Sequence, residues 1–242
     1  MDHMKKNHGT RLHRFIAARC AREGELGLHL TLGVVLLALS AWIFGSIASQ
    51  VTGGTPWIEM LDRHVAQFLQ GHATDTLTRL MLIFTHVHGI AGIGALGLLL
   101  GVWFWRKKAH DWLLMAVVAI PGGMLLNALL KQVFMRARPA SEDAILTLAS
   151  YSFPSGHTAA ATLLYGIFAA YLMSMTRSKW TRMGIVAVAL LMVLLVGASR
   201  IYLGVHYFSD VLAAVAESCG WLAICITASS TLRRRRAARL ER

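Results

Sequence analysis

Six apolar runs, each cut off by a short polar break, leave this chain few ways to fold. A run of about 20 residues with almost no charge is long enough to cross the hydrocarbon core of a bilayer as a helix. Backbone polar groups find no water there, so a span is either a helix or a strand of a closed barrel. The runs fall at residues 26–49, 90–105, 112–134, 158–175, 183–198 and 207–229, and a shorter helix near 76–87 precedes the second. The second and fifth are slightly short by apolar count, so their polar ends are expected to extend them into the interface. Hydrophobic residues make up 56% of the 242, above the roughly 45–50% of a soluble domain, which excludes a soluble globular reading. The expected fold is all-α, a six-transmembrane-helix bundle. It divides into a basic N-terminal segment 1–25, a membrane domain 26–230 and a basic tail 231–242. The first run exceeds the 7–15 apolar residues or so of a signal peptide, so it reads as a retained span.

The formal charge of +12 is distributed as a topology signal. Eighteen of the 24 basic residues sit in four segments: the N-terminus, Arg106-Lys107-Lys108, Arg177 to Arg182, and the Arg233-rich tail. Six spans put all four on one side, which the positive-inside rule makes cytoplasmic. Such clusters do not form the continuous basic stripe that nucleic acid needs, so no nucleic-acid partner is expected. Cys20, Cys219 and Cys225 show neither a disulfide framework nor a metal spacing. Residues 52–76 form the longest outer loop outside the motifs. Apolar positions Ile58, Leu61, Val65, Phe68 and Leu69 have helical spacing there, the pattern of a short interfacial helix or of a loop helix packed on the bundle.

The polar groups that remain fall into three clusters on the other side. Lys131 and Arg138 precede Pro139, seven residues apart, so they share one helical face if the helix reaches the proline. Arg136 lies off that face and reads as an interfacial cation. Pro154-Ser155-Gly156-His157 opens the fourth span. Ser and Gly at a helix start leave backbone N–H groups aimed outward at an anion, and His157 falls in the same turn. Ser199-Arg200 closes the fifth span, and His206 and Asp210 open the sixth, four residues apart on one face. A carboxylate that holds one imidazole nitrogen leaves the other free to act as base or nucleophile. Cations that fork onto oxygen suit a phosphate.

In this order and spacing the three clusters resemble the type-2 phosphatidic acid phosphatase family of integral membrane lipid phosphatases. The resemblance covers the six-span core and implies a metal-independent phosphatase with no cofactor. It implies that His206 attacks phosphorus and forms a phospho-histidine, that Asp210 orients it, and that His157 protonates the leaving oxygen. Lys131, Arg138, Ser155, Gly156 and Arg200 match the phosphate-binding positions. The expected substrate is a lipid phosphomonoester or diphosphate at the outer leaflet of the cytoplasmic (inner) membrane. Undecaprenyl diphosphate stands first, then phosphatidylglycerol phosphate, phosphatidic acid and lipid A phosphate. A lipid phosphotransferase and a non-enzymatic lipid-phosphate transporter are the alternatives. His86 and His88 point to different helix faces with no carboxylate or Cys nearby in sequence, so no metal site is expected there. Asn127 and Glu217 extend the polar faces of their spans inward.

Overall fold

The computed structural model describes residues 28–139 and 150–240; the expectations for segment 1–25 lie outside it. Among the described residues there are eight helices: α1 (Leu28–Thr52), α2 (Pro56–Gly71), α3 (Asp75–Val87), α4 (Ile90–Arg106), α5 (His110–Phe134), α6 (Gly156–Met175), α7 (Lys179–Tyr202) and α8 (Phe208–Leu240). No strand occurs among the described residues. Five helices (α1, α5, α6, α7 and α8) are each long and apolar enough to span a membrane.

The second expected span differs. α4 has 17 residues and falls short alone, but α3 and α4 together pass the same length and composition test, bent by 56° at their break. The break falls at His88-Gly89, where Gly89 leaves the helical region and starts α4. Glycine is the weakest helix former after proline, so the bend sits where propensity is lowest. The fifth span is longer than its apolar count, because Lys179–Arg182 and Ser199–Tyr202 are helical too. α8 continues unbroken through Arg233–Arg236, so the basic segment is not a separate tail. Arg236 lies 3.9 Å from Asp111, and Arg233 sits over the ring of Trp112 at 5.2 Å.

α6 is the central helix. Its residues Ala159, Ala160, Ala161, Leu163 and Ile167 are buried among α5, α7 and α8. Helices in lipid associate by close packing, which small residues permit. A Cβ on Gly166 would come within 2.5 Å of Leu222, and one on Gly123 within 2.6 Å of Leu163. α1 packs mainly on α8, and its outer face exposes Leu32, Val35, Leu39 and Trp42. α2 buries Ile58 and Asp62 against α7 and α8 while Trp57, Met60 and Phe68 face outward. Because α6 and α7 are joined by three residues at one end, the C-termini of α5 and α7 and the N-termini of α6 and α8 gather at the other.

Candidate active site

α5 stops at Phe134, well before Pro139. Met135 takes the left-handed conformation (φ 44°, ψ 33°), so the helix does not carry Lys131 and Arg138 to the proline on one face as the spacing suggested. The chain unwinds and turns Arg138 back toward the bundle. Arg138 Nε donates to Ser150 O at 2.7 Å, and Nη1 donates to Val205 O at 2.6 Å. Nη1 also lies 3.3 Å from His206 Nε2. Lys131 Nζ donates to Tyr151 O at 2.7 Å.

Ser155 precedes α6 and is fully buried, and its N–H donates to Asp210 O at 3.1 Å. Its hydroxyl accepts from Thr158 Oγ1 at 3.0 Å and caps no backbone group. The first-turn N–H groups of α6 therefore keep their capacity for an anion. Phe153 anchors this approach against Phe44 and Phe134. His157 is half-buried, with Nε2 3.7 Å from where a Gly89 Cβ would stand.

Gly204, at φ 71°, makes the turn between α7 and α8 that a side chain would strain. Beyond it, His206 Nδ1 lies 3.2 Å from Asp210 Oδ2, and both side chains are buried. The Tyr207 N–H (2.9 Å) and the Ser152 hydroxyl also donate to Oδ2. With Asp210 on Nδ1 and a guanidinium N–H on Nε2, the imidazole carries its proton on Nδ1 and presents a lone pair at Nε2. Burial pulls the His206 pKa down to about 4, opposed by the hydrogen bond and charge of Asp210.

The cations divide sharply. Arg136, read from sequence as an interfacial cation, donates to Asp210 Oδ1 at 2.7 Å and Asp62 Oδ2 at 2.9 Å. Lys131, Arg138 and Arg200 make no ion pair among the described residues. Arg200 is the extreme case, 1% exposed, with Nη1 donating to Thr85 Oγ1. Its Nε and Nη2 are buried and find no partner among the described residues. A buried charge without a counter-ion is costly, so buried Arg200, with half-buried Lys131 and Arg138 also lacking carboxylate partners, marks a place suited to an anion. Asp62, Ser152, Ser209 and Thr85 were not singled out from the sequence, and Arg136 was assigned the wrong role. The readable signal was Asp62, an acid one helical turn after Ile58 on the inward face of α2.

From this end an apolar groove of about 740 Å³ runs between α4 and α5. His157, His206, Lys131 and Arg138 line one part of it, and Gly97, Gly101 and Leu113 another. Gly97 and Gly101, spaced for close helix packing, thus face α5 across the groove. His88 also lines it, bonded to Tyr165 OH at 2.7 Å, whereas His86 is exposed. No group of three potential metal ligands occurs among the described residues. Asn127 donates to Glu217 Oε1 at 2.5 Å beneath Lys131.

A helical bundle of membrane-spanning length, with cations lacking ion pairs and two histidines at the head of an apolar groove, defines a membrane protein with an anion site beside an apolar channel. The chain belongs to the PAP2 superfamily, whose family model matches residues 112–234. Phosphatidylglycerophosphatase B of Bacillus subtilis (strain 168) is 38% identical over 134 residues, covering 51% of this chain and 64% of that protein, a little under two thirds of its length. The crystal structure of the first transmembrane PAP2 type phosphatidylglycerolphosphate phosphatase from Bacillus subtilis superposes with a TM-score of 0.70 at 26% identity. That likeness covers 78% of this chain and 94% of the other. Aquifex aeolicus LpxE shares the fold at 20% identity, with a TM-score of 0.52 over 66% of this chain and 93% of that one.

Proposed function

We propose that this protein is a metal-independent lipid phosphatase working through a phospho-histidine on His206. The carrying observation is that Lys131, Arg138 and Arg200 make no ion pair among the described residues, with Arg138 Nη1 3.3 Å from His206 Nε2 and two donors of buried Arg200 without a partner there. Phosphoryl transfer is chiefly positioning and charge stabilisation, and three cations with the α6 N-terminus supply both. The phosphate sits against Arg138, Arg200, Lys131 and the backbone at Ser155-Gly156. The Nε2 lone pair of His206 attacks phosphorus, and the bond from phosphorus to the lipid oxygen breaks. His157 gives that oxygen its proton. Water then attacks phosphorus, His157 takes the water's proton, and the N–P bond returns its electron pair to Nε2. Asp210 holds Nδ1 throughout and stabilises the charge that develops on the ring.

The apolar groove takes the lipid chain, which makes a lipid phosphate the substrate class. The names of the two Bacillus subtilis proteins move phosphatidylglycerol phosphate ahead of undecaprenyl diphosphate. The spans number six with the bent α3–α4 pair counted as one. The basic turns and both termini lie in the cytoplasm, the site faces the opposite side of the inner membrane, and α2 rests Trp57, Met60 and Phe68 in the interface.

The test is released phosphate from a panel of purified lipid phosphates and diphosphates in detergent, with His206→Ala alongside. Wild-type release with at least one lipid, an acid-labile phosphoprotein, and loss of both in the variant are expected. Release at the wild-type rate from His206→Ala would overturn the nucleophile, and no release from any lipid would overturn the phosphatase reading. Adding an unphosphorylated acceptor lipid separates hydrolysis from phosphotransfer by its product.

A further inference from the structure

The buried polar group with the most partners outside the motifs is Asp62, on the outer-loop helix α2. It is 2% exposed. Oδ1 accepts from the Ser209 N–H at 2.7 Å, and Oδ2 accepts from Ser209 Oγ at 2.6 Å and Arg136 Nη2 at 2.9 Å. The other terminal nitrogen of Arg136, Nη1, donates to Asp210 Oδ1 and to Ser209 Oγ, each at 2.7 Å. The guanidinium also lies over the ring of Tyr207, 3.9 Å from its centroid. One planar cation therefore bridges two buried carboxylates, and one of them is the partner of His206.

We propose that Asp62 and Arg136 are positioning residues for the phosphatase reaction, acting through Asp210 on His206. Asp210 must satisfy two demands. Its Oδ2 must lie where Nδ1 of His206 can donate, and the carboxylate must keep enough negative charge to favour a positive ring when phosphorus is attacked. Arg136 serves the first by fixing Oδ1, which leaves Oδ2 for His206, Tyr207 and Ser152. Taken alone it would oppose the second, since a full cation on Oδ1 draws charge from the carboxylate. Asp62 offsets that by taking the other edge of the guanidinium. It also grips both Ser209 groups, immediately before Asp210, so α2 holds the first turn of α8 in place. The loop helix is thus part of the machinery, which explains why an acid occupies its inward face.

The inference rests on the phosphatase reading, and the test separates the two. Wild type, Asp62→Asn, Asp62→Glu and Arg136→Lys are purified in detergent and assayed on a lipid phosphate the wild type hydrolyses. Thermal unfolding is measured on each. Asp62→Asn keeps the shape but removes the counter-charge and turns one acceptor oxygen into an N–H donor facing Ser209 or Arg136, so kcat should fall on the order of 10-fold or more. KM should stay near wild type, because the phosphate-binding cations are untouched. Asp62→Glu should recover part of kcat, and Arg136→Lys, which keeps charge but cannot bridge, should resemble Asp62→Asn. Wild-type kcat in Asp62→Asn would overturn the proposal. So would a loss in kcat that Asp62→Glu fails to recover, or one carried by KM in step with a falling unfolding temperature. An inactive wild type would instead defeat the phosphatase reading itself.

Discussion

Replacing Arg200 by Met should separate function from stability. Arg200 is buried, and its Nε and Nη2 are free to bond a phosphate. Two hydrogen bonds involving charged groups are worth about 3–6 kcal/mol together. At about 1.36 kcal/mol per tenfold in rate, the loss is ~10²–10⁴ in kcat/KM. Stability should not follow. The wild-type cation bears a desolvation cost of several kcal/mol without a counter-ion, while its removal strands the Thr85 hydroxyl at about 1–3 kcal/mol. Met fills much of the same volume, so the unliganded variant should unfold at the wild-type temperature or above it. A phosphate analogue such as vanadate sharpens the contrast. At a hundred times its Kd it should stabilise the wild type by about 2.7 kcal/mol, and the variant far less. Tryptophan fluorescence during heating, with and without vanadate, alongside initial rates on a lipid phosphate, gives all three quantities. Wild-type kcat/KM in the variant, or equal stabilisation of both proteins by vanadate, would refute the account of Arg200 as an unpaired phosphate ligand.

Three further outcomes follow from the same geometry. Burial holds the His206 pKa down to about 4, so an NMR titration should show the ring neutral down to that pH. Its lone pair is then lost only as pH falls through about 4, and a midpoint at the ordinary value of about 6.5 would contradict the burial account. Gly97→Leu should fill the groove beside Ile120 Cδ1, which a Cβ at Gly97 would approach to 4.0 Å. Displacing four methylenes at about 0.8 kcal/mol each costs roughly 10²-fold on long-chain lipid phosphates, whereas a short-chain soluble phosphate should be unaffected, and an equal loss on both would argue against the groove as the chain's seat. Activity should survive a metal chelator, and a strict requirement for Mg²⁺ would defeat the cation-based mechanism.

The membrane class and the three motif clusters were legible because each depends on local pattern. Apolar runs report a solvent, and a His four residues before an Asp at the start of a helix reports a pair, with no knowledge of distant contacts. The groove was not legible, since Gly97 and Gly101 look the same whether they pack on a helix or line a cavity. The bent α3–α4 pair was half visible: the short helix was read, but its angle to the next was not.

Arg136 shows the division most clearly. By itself the sequence determined that cations, two histidines and a carboxylate gather at one end of a membrane bundle, because span length and charge bias fix which ends meet. It put Arg136 off the working face only because it ran the helix on toward Pro139. Only the tertiary structure decided that Met135 turns the chain after the span's end at Phe134, and that Arg136 then reaches a carboxylate 74 residues away on either side. Which cations are neutralised and which are left for a phosphate depends on contacts between helices far apart in the chain. Periodicity says which side of a helix is apolar, but not which distant acid a given cation will meet.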